Sequence, residues 1–359
     1  MASIWHSAPI FKGIPQRALL VLLVLGCIAL FTDRPHPTPR GAVPAYSLRQ
    51  ILDSHPAFRA EPSPRTVSRR EAVVARYLSL KASASALLGP EAGRAVARLL
   101  RLEFYNQAQK QRSAFSTPEA ALEASESWLA AIGALQRGRK PRLAGLPLDS
   151  SAVISHWGDL QAAANALRLP VGVLAAIVDN EQYGGNKALG LSRGLREVAD
   201  GLAQGLAETT GSAGSAGLIS RTLGLAQMSW EDALRQEGRL RHFHAWDPRW
   251  PFPKTEAEAR AALENPYLNL LFTASRLRGY LNEKLYLSPQ DTRPLQGAWL
   301  YYLGPAWHNW PPGADEATWP YAFHAFFKGL LYQVVFSDPR KAALLPGAEL
   351  PKLTAPGPL

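Results

Sequence analysis

The chain has one cysteine, Cys27, in 359 residues. That excludes a disulfide framework and a cysteine-based metal site. A chain with no other thiol is compatible with an oxidising compartment. Alternating runs of β-branched residues are also missing, while Ala, Leu and Arg are abundant. The expected fold class is therefore all-α. The net charge is +10, yet no block of five like charges occurs. A basic balance favours polyanionic partners such as nucleic acid, anionic lipid or a cell wall bearing carboxylates and phosphates. Because the excess is spread along the chain, no nucleic-acid groove is expected. The length allows one large domain or two modest ones.

Residues 1–17 carry Lys12 and Arg17 and no acid, and residues 18–31 are continuously apolar. At about 14 residues the run is shorter than the roughly 20 of a membrane-spanning helix. It fits the apolar region of an export signal behind a positive start. No A-x-A-like cleavage site follows directly. Val24-Leu25-Gly26-Cys27 resembles a bacterial lipobox, although Leu25 is bulkier than usual. That resemblance implies lipid attachment at Cys27; an uncleaved anchor at 1–31 is the other reading. Both place the remainder outside the cytoplasm, tethered to a membrane. Residues 33–65 contain Pro35, Pro37, Pro39, Pro62 and Pro64, and read as a linker, since proline fixes φ and lacks an N–H.

Residues 66–147 read as a small helical subdomain, with helices expected near 67–87, 90–112 and 117–136 and a linker at 138–147. Thr117-Pro118-Glu119 is a cap, a first-position proline and a first-turn acid in sequence. Leu122, Ser125, Trp128, Leu129 and Ile132 give an apolar stripe. Arg94, Arg98 and Arg101 form either a solvated face or a docking surface. Further helices are expected at 151–168, 192–208, 266–287 and 319–335, the last almost wholly apolar and hence central to the core. The segment GSAGSAG at 211–217 reads as a flexible loop, and the tail at 339–359 as disordered.

The most informative stretch is 170–185, PVGVLAAIVDNEQYGG. Pro170 suits the first helical position and Gly184-Gly185 suits the stop. Leu174, Ile177, Val178 and Glu181 then share one face. Burial and the negative helix end would both raise the pKa of Glu181, making it a proton donor near neutral pH. The alternative is a Glu at a fraying helix end that reaches water. Residues 222–234 read TLGLAQMSWEDAL, a turn with Gly224 and Gln227 leading into a helix opened by Ser229, with Asp232 three residues on. Residues 301–305 read YYLGP.

A helix ending in Glu, a GLAQ turn before a helix and a YYLGP turn, in that order, resemble the lysozyme-like domain of soluble lytic transglycosylases and goose-type lysozymes. The resemblance covers roughly 150–330 and implies a catalytic domain at 148–338. It implies Glu181 as the catalytic acid. It also implies Gly224, Gln227, Tyr301, Tyr302 and Gln182 on the substrate side, holding sugar amide and ring groups. The family's usual Ser after the Glu is Gln182 here, and its usual Asn is Tyr302. The gap between Glu181 and the GLAQ turn is longer than in typical transglycosylases.

The activity this implies is cleavage of the β-1,4 bond between N-acetylmuramic acid and N-acetylglucosamine in peptidoglycan. No second carboxylate stands at a motif position. Asp179 is two residues from Glu181 and so on another face; Glu197, Asp200 and Glu208 lie in the insert after Glu181. Two-carboxylate glycosidases need such a partner, so a single Glu serving as acid and then base is favoured, giving anhydromuramyl ends. A lysozyme-type hydrolase, a non-catalytic glycan-binding module and an unrelated helical envelope scaffold stay open. No cofactor is expected. His242 and His244, with Asp247 nearby, lack a third strong ligand, so no metal is expected. Trp246, Trp250 and Phe252, and the Trp/Tyr-rich stretch 299–321, read either as core or as sugar-stacking rings.

Overall fold

The computed structural model describes residues 47–59, 63–110, 113–188, 222–282 and 319–345. These are mostly helical, with almost no strand, as the composition predicts. The apolar run at 18–31, Cys27, the insert helix at 192–208, the loop at 211–217, Tyr301 and Tyr302 lie outside the described residues. Among the described residues, no helix is long and apolar enough to cross a membrane.

The first helices lie within the stretch expected to be a linker. Helix α1 (Leu48–Ser54) opens with a reciprocal capping box between Ser47 and Gln50, and α2 (Pro56–Arg59) follows directly. The linker expectation therefore fails over 47–59. Pro56 sits at a helix start, where proline is tolerated, and Ile51, Leu52 and Phe58 are buried. Three long helices follow: α3 (Pro64–Leu88), α4 (Pro90–Ala108) and α5 (Pro118–Gln136). Each starts on a proline. Ser63 caps α3 by accepting from the Thr66 N–H, and Thr117 caps α5 by accepting from the Ala120 N–H.

Beyond these, the chain expected as one helix over 151–168 is two, α6 (Ser151–Ser155) and α7 (Trp157–Ala166). The break is His156, at φ −113° and ψ 30°, whose ring pairs with Asp159 at 3.3 Å. Helix α8 spans Val171–Ala188, and so runs through Gly184-Gly185 rather than stopping there. Glycine in a helix costs only about 1 kcal/mol, which packing can offset. A two-stranded hairpin, β1 (Thr222–Leu223) with β2 (Met228–Ser229), leads into α9 (Trp230–Leu234). Then come α10 (Glu237–His242), α11 (Glu256–Glu264), α12 (Pro266–Asn282) and α13 (Trp319–Phe336). The start of the expected disordered tail is instead a 3-10 turn, Pro339–Leu344, capped by Asp338, with Ala342 and Leu345 buried.

Helix α13 is the centre of the core, and rings from three sides pack on it. Trp128 of α5 lies parallel to Phe327 at 6.1 Å. Trp157 of α7 stacks on Phe336 at 3.8 Å. Phe115, ahead of α5, meets Phe323 edge-on at 5.1 Å. Its first residue is held by a buried carboxylate: Glu103 of α4 accepts from Trp319 Nε1 at 2.5 Å, from the Phe115 and Ala114 N–H groups at 2.9 and 3.0 Å, and from Gln107 Nε2 at 2.9 Å. Burial pushes the Glu103 carboxyl up, and the four donors pull it down. An isolated buried carboxylate would be costly, so this one is sustained by its donors. Helices 66–136 are thereby joined to the last helix by both apolar and polar contacts.

Among the described residues, α8 and α13 share the most extensive helix–helix contact. Gly172 leaves no room between them: a Cβ there would lie 2.5 Å from the Gly329 carbonyl oxygen and 2.6 Å from the Gln333 N. The Gly172 N–H also donates to Gln333 Oε1 at 3.3 Å. Gly172→Ala is expected to lower stability by about 1–3 kcal/mol, as overpacking does. Gly158→Ala in α7, where a Cβ meets nothing within 4 Å, is expected to be neutral or to stabilise by about 0.4–1 kcal/mol. Denaturant midpoints of the two variants check the contrast.

Candidate functional site

Glu181 lies in the interior of α8, well before its end at Ala188, and is half-buried. The expected pKa rise from the negative helix end therefore does not apply, because that effect is confined to the last turn. The fraying-end alternative fails for the same reason. The residues on either side of Glu181 tie α8 to two other segments. Asn180, buried, donates from Nδ2 to the Tyr321 carbonyl at 2.8 Å. Gln182 donates from Nε2 to the Leu225 carbonyl at 2.9 Å. The Gln182 bond joins the Glu181 helix directly to the GLAQ turn, across 43 residues of chain.

The turn is built by two unusual backbones and one amide. Gly224 has φ +74° and Gln227 has φ +49°, both left-handed. Glycine accepts that conformation freely, whereas Gln needs support. Gln227 has it: its N–H and its Nε2 both donate to the Gly224 carbonyl, at 3.3 and 2.9 Å. A Cβ on Gly224 would fall 2.1 Å from Asn269 Nδ2. Asn269 of α12 is fully buried. Its Nδ2 donates to the Leu223 carbonyl at 2.8 Å and more weakly to that of Leu263 at 3.3 Å, and its Oδ1 accepts from the Ala226 N–H at 3.0 Å. Two amides, Gln182 and Asn269, thus grip the turn. Ser229 caps α9 as expected, accepting from the Asp232 N–H at 3.1 Å. The Asp232 carboxylate pairs instead with Arg276 at 2.9 Å, so only half of the capping box forms.

Asp179 is not a second carboxylate open to a substrate. It is fully buried between α8 and α13. It accepts from Lys328 Nζ at 2.6 Å, Tyr332 Oη at 2.5 Å and the Asp149 N–H at 3.3 Å. Burial pushes the Asp179 carboxyl up and the Lys328 ammonium down, and each partner opposes the other's shift. Tyr332 is pushed well above its ordinary value by burial and by the carboxylate beside it. Lys328 Nζ also sits 5.0 Å from the centre of the Tyr183 ring. Glu197, Asp200 and Glu208 lie outside the described residues.

The aromatic loop divides between its two readings. Trp246 and Phe252 are core, packed on Phe272. Trp250 is 39% exposed, and its carbonyl accepts from Trp246 Nε1 at 3.1 Å. Arg241, His244, Trp246, Asp247, Pro248 and Arg249 line an open depression of about 600 Å³. Among the described residues no three His, Cys, Asp or Glu side chains are grouped to hold a metal. Of the 299–321 stretch, Trp319 is core and Tyr321 is exposed.

Three residues of this arrangement escape the sequence reading: Asn180, Asn269 and Lys328. Two had a signal. Lys328 is the one Lys, Arg, Asp or Glu of a mostly apolar helix, which demands a buried partner. Asn269 and Thr273, four apart, interrupt the apolar face of α12 with polar groups.

No protein-family model, curated protein or solved structure matches this chain.

Replacing Asn269 by Leu keeps the volume but removes the partner of the Leu223 carbonyl and of the Ala226 N–H. Each lost partner at a buried site costs about 1–3 kcal/mol. Asn269→Leu is therefore expected to lower stability by about 2–5 kcal/mol and to speed proteolysis within 222–229. A loss below about 0.5 kcal/mol, the usual surface value, would show that the turn is held by other contacts.

Proposed function

We propose that this chain is a peptidoglycan lytic transglycosylase with a lysozyme-like catalytic domain. It is tethered to the cell envelope by residues 18–31 or by lipid on Cys27. The observation that carries the proposal is the Gln182–Leu225 hydrogen bond. It joins the helix bearing Glu181 to the GLAQ turn, so two of the three family motifs meet, although 43 residues of sequence separate the bonded pair.

The chemistry follows from one carboxyl group. Glu181 protonates the oxygen leaving C1 of the muramyl residue. The resulting carboxylate then takes the proton of the muramyl 6-hydroxyl, whose oxygen closes on C1. The C1–O bond to the next sugar breaks and a 1,6-anhydro ring forms, with no water consumed. Asp179 does not serve as a water-activating base, since Lys328 and Tyr332 occupy its oxygens. That removes Asp179 as the second carboxylate that hydrolysis needs at the bond, while Glu197, Asp200 and Glu208 lie outside the described residues. Gln227 and Gly224 would offer the turn to sugar amide groups, with Tyr301 and Tyr302 from the third motif.

Glu181→Gln retains the shape and removes the ionisable proton. Activity of the full chain on purified sacculi is expected to fall by about a hundred- to ten-thousand-fold, the usual scale of general acid–base catalysis, with glycan binding retained. Undiminished activity in Glu181→Gln would falsify the assignment.

A further inference from the structure

Residues 47–59 form two short helices, and the joint between them is a histidine. His55 ends α1 and starts α2. Its N–H donates to the Leu52 carbonyl at 3.0 Å, and its carbonyl accepts from the Phe58 and Arg59 N–H groups at 2.9 and 3.0 Å. Its ring closes the same turn: Nδ1 accepts from the Ala57 N–H at 3.1 Å. A side-chain acceptor on the second N–H of a helix is an N-cap, a place that Ser, Thr, Asp and Asn fill best. None of those four changes its charge near neutral pH, whereas histidine does. The ring is buried. The Ala57 bond fixes its neutral form, with the lone pair on Nδ1 and the proton on Nε2. Nε2 is closed to solvent and has no hydrogen-bond partner, and the same holds for Gln107 Oε1 of α4. The groups that act on the ring are Gln107, Glu119 of α5 and Arg69 of α3. Glu119 and Arg69 pair with each other at 2.6 Å, and Glu103 of α4 is taken up by its own donors, Gln107 among them. On α1 and α2, Asp53 pairs with Arg70 and Arg49 with Glu71, both partners on α3, and Arg59 is exposed. Among the described residues, no carboxylate is hydrogen-bonded to the ring. Burial holds His55 below its ordinary value, against the pull of Gln107 and Glu119.

We propose that His55 is an acid-released latch on residues 47–59. The second proton must enter at Nδ1, where it turns the acceptor of the Ala57 N–H into a donor facing a donor. The same step puts a cation in a site closed to water and at the positive end of α2. Open chain leaves the charged ring in water, so protonation favours the undocked segment. What it must overcome is limited. The buried residues of the segment are Ile51, Leu52, His55 and Phe58, and its ion pairs to α3 lie at the surface. Release frees roughly 40 Å of chain at about 3.3 Å per residue, and so lengthens the connection between residues 1–46 and the helices from α3 onward. The latch does not depend on the catalytic reading.

Amide hydrogen exchange of the full chain between about pH 7.5 and about pH 5 tests this, read as protection factors so that the intrinsic pH dependence of exchange drops out. The docked form holds the neutral ring. Protection of 47–59 is therefore full above the ordinary histidine value of about 6.5, falls as the pH drops through it, and levels off below the lower docked value. The expected fall is about two- to thirtyfold, the scale of a lost N-cap, while α4 and α13 keep their protection. His55→Asn keeps a capping acceptor and cannot titrate, so its 47–59 protection should not change with pH. No fall in the wild type, a fall matched in α4 and α13, or the same fall in His55→Asn would overturn the latch. Where His55→Asn leaves 47–59 unprotected at every pH, the wild-type ring decides. Its ¹⁵N signals, identified by their loss in that variant, are expected to show the proton on Nε2 at about pH 7.5 and a midpoint below about 6.5. A proton on Nδ1, or a midpoint at or above that value, overturns the proposal.

Discussion

Two contacts of opposite character fix helices α8 and α13 against each other, and the position of the candidate site depends on both. At one end Gly172 brings the two backbones together with no side chain between them. Further along, Asp179 meets Lys328 and Tyr332 in a cluster closed to water. The first contact sets the distance between the helices. The second sets the rotation of α8 about its axis, because an unpaired buried charge would cost several kcal/mol. With distance and rotation fixed, Asn180, Glu181 and Gln182 leave the helix in fixed directions. Asn180 reaches the start of α13 and Gln182 reaches the turn. The Glu181 side chain is thus placed by its neighbours Asn180 and Gln182, each held by a polar bond that would be left open if the helix turned.

The same economy holds the remaining parts. Asn269 satisfies backbone groups on both arms of the hairpin and leaves space for no side chain at Gly224. Glu103 gathers the segment before α5 and the first residue of α13 on one carboxylate. Both are buried polar residues with several partners, and such residues select one arrangement among many apolar ones of similar energy. The stacked rings of Trp128 and Trp157 on α13 supply burial but little direction.

Much of the fold was legible because helices announce themselves locally. Thr117-Pro118 and Ser229 cap where their sequence says they should. The apolar run at 319–336 is the buried centre. Where the reading failed, a longer-range contact had overruled a local signal. Prolines marked 33–65 as linker, but Ile51, Leu52 and Phe58 found a core to join. Gly184-Gly185 looked like a stop, yet α8 continues through it. Of the candidate site, the helix carrying Glu181 was legible from its apolar face, and the turn from Gly224. Gln182 was legible only through the resemblance, as a substrate-side residue; its bond to Leu225 is a contact between distant segments that no local pattern encodes. Asn269 carries the same lesson: a polar residue on a buried helical face predicts a partner but not which one.

If one carboxyl group does the chemistry without water, the products record it most directly. Purified sacculi digested by the full wild-type chain should release muropeptides ending in 1,6-anhydromuramic acid, 18 Da lighter than the hydrolysed form, roughly one water by mass balance for a water-free ring closure. Muropeptides ending in reducing muramic acid would contradict it, and would mean that a second group activates water. Intact sacculi would contradict the enzymatic reading altogether.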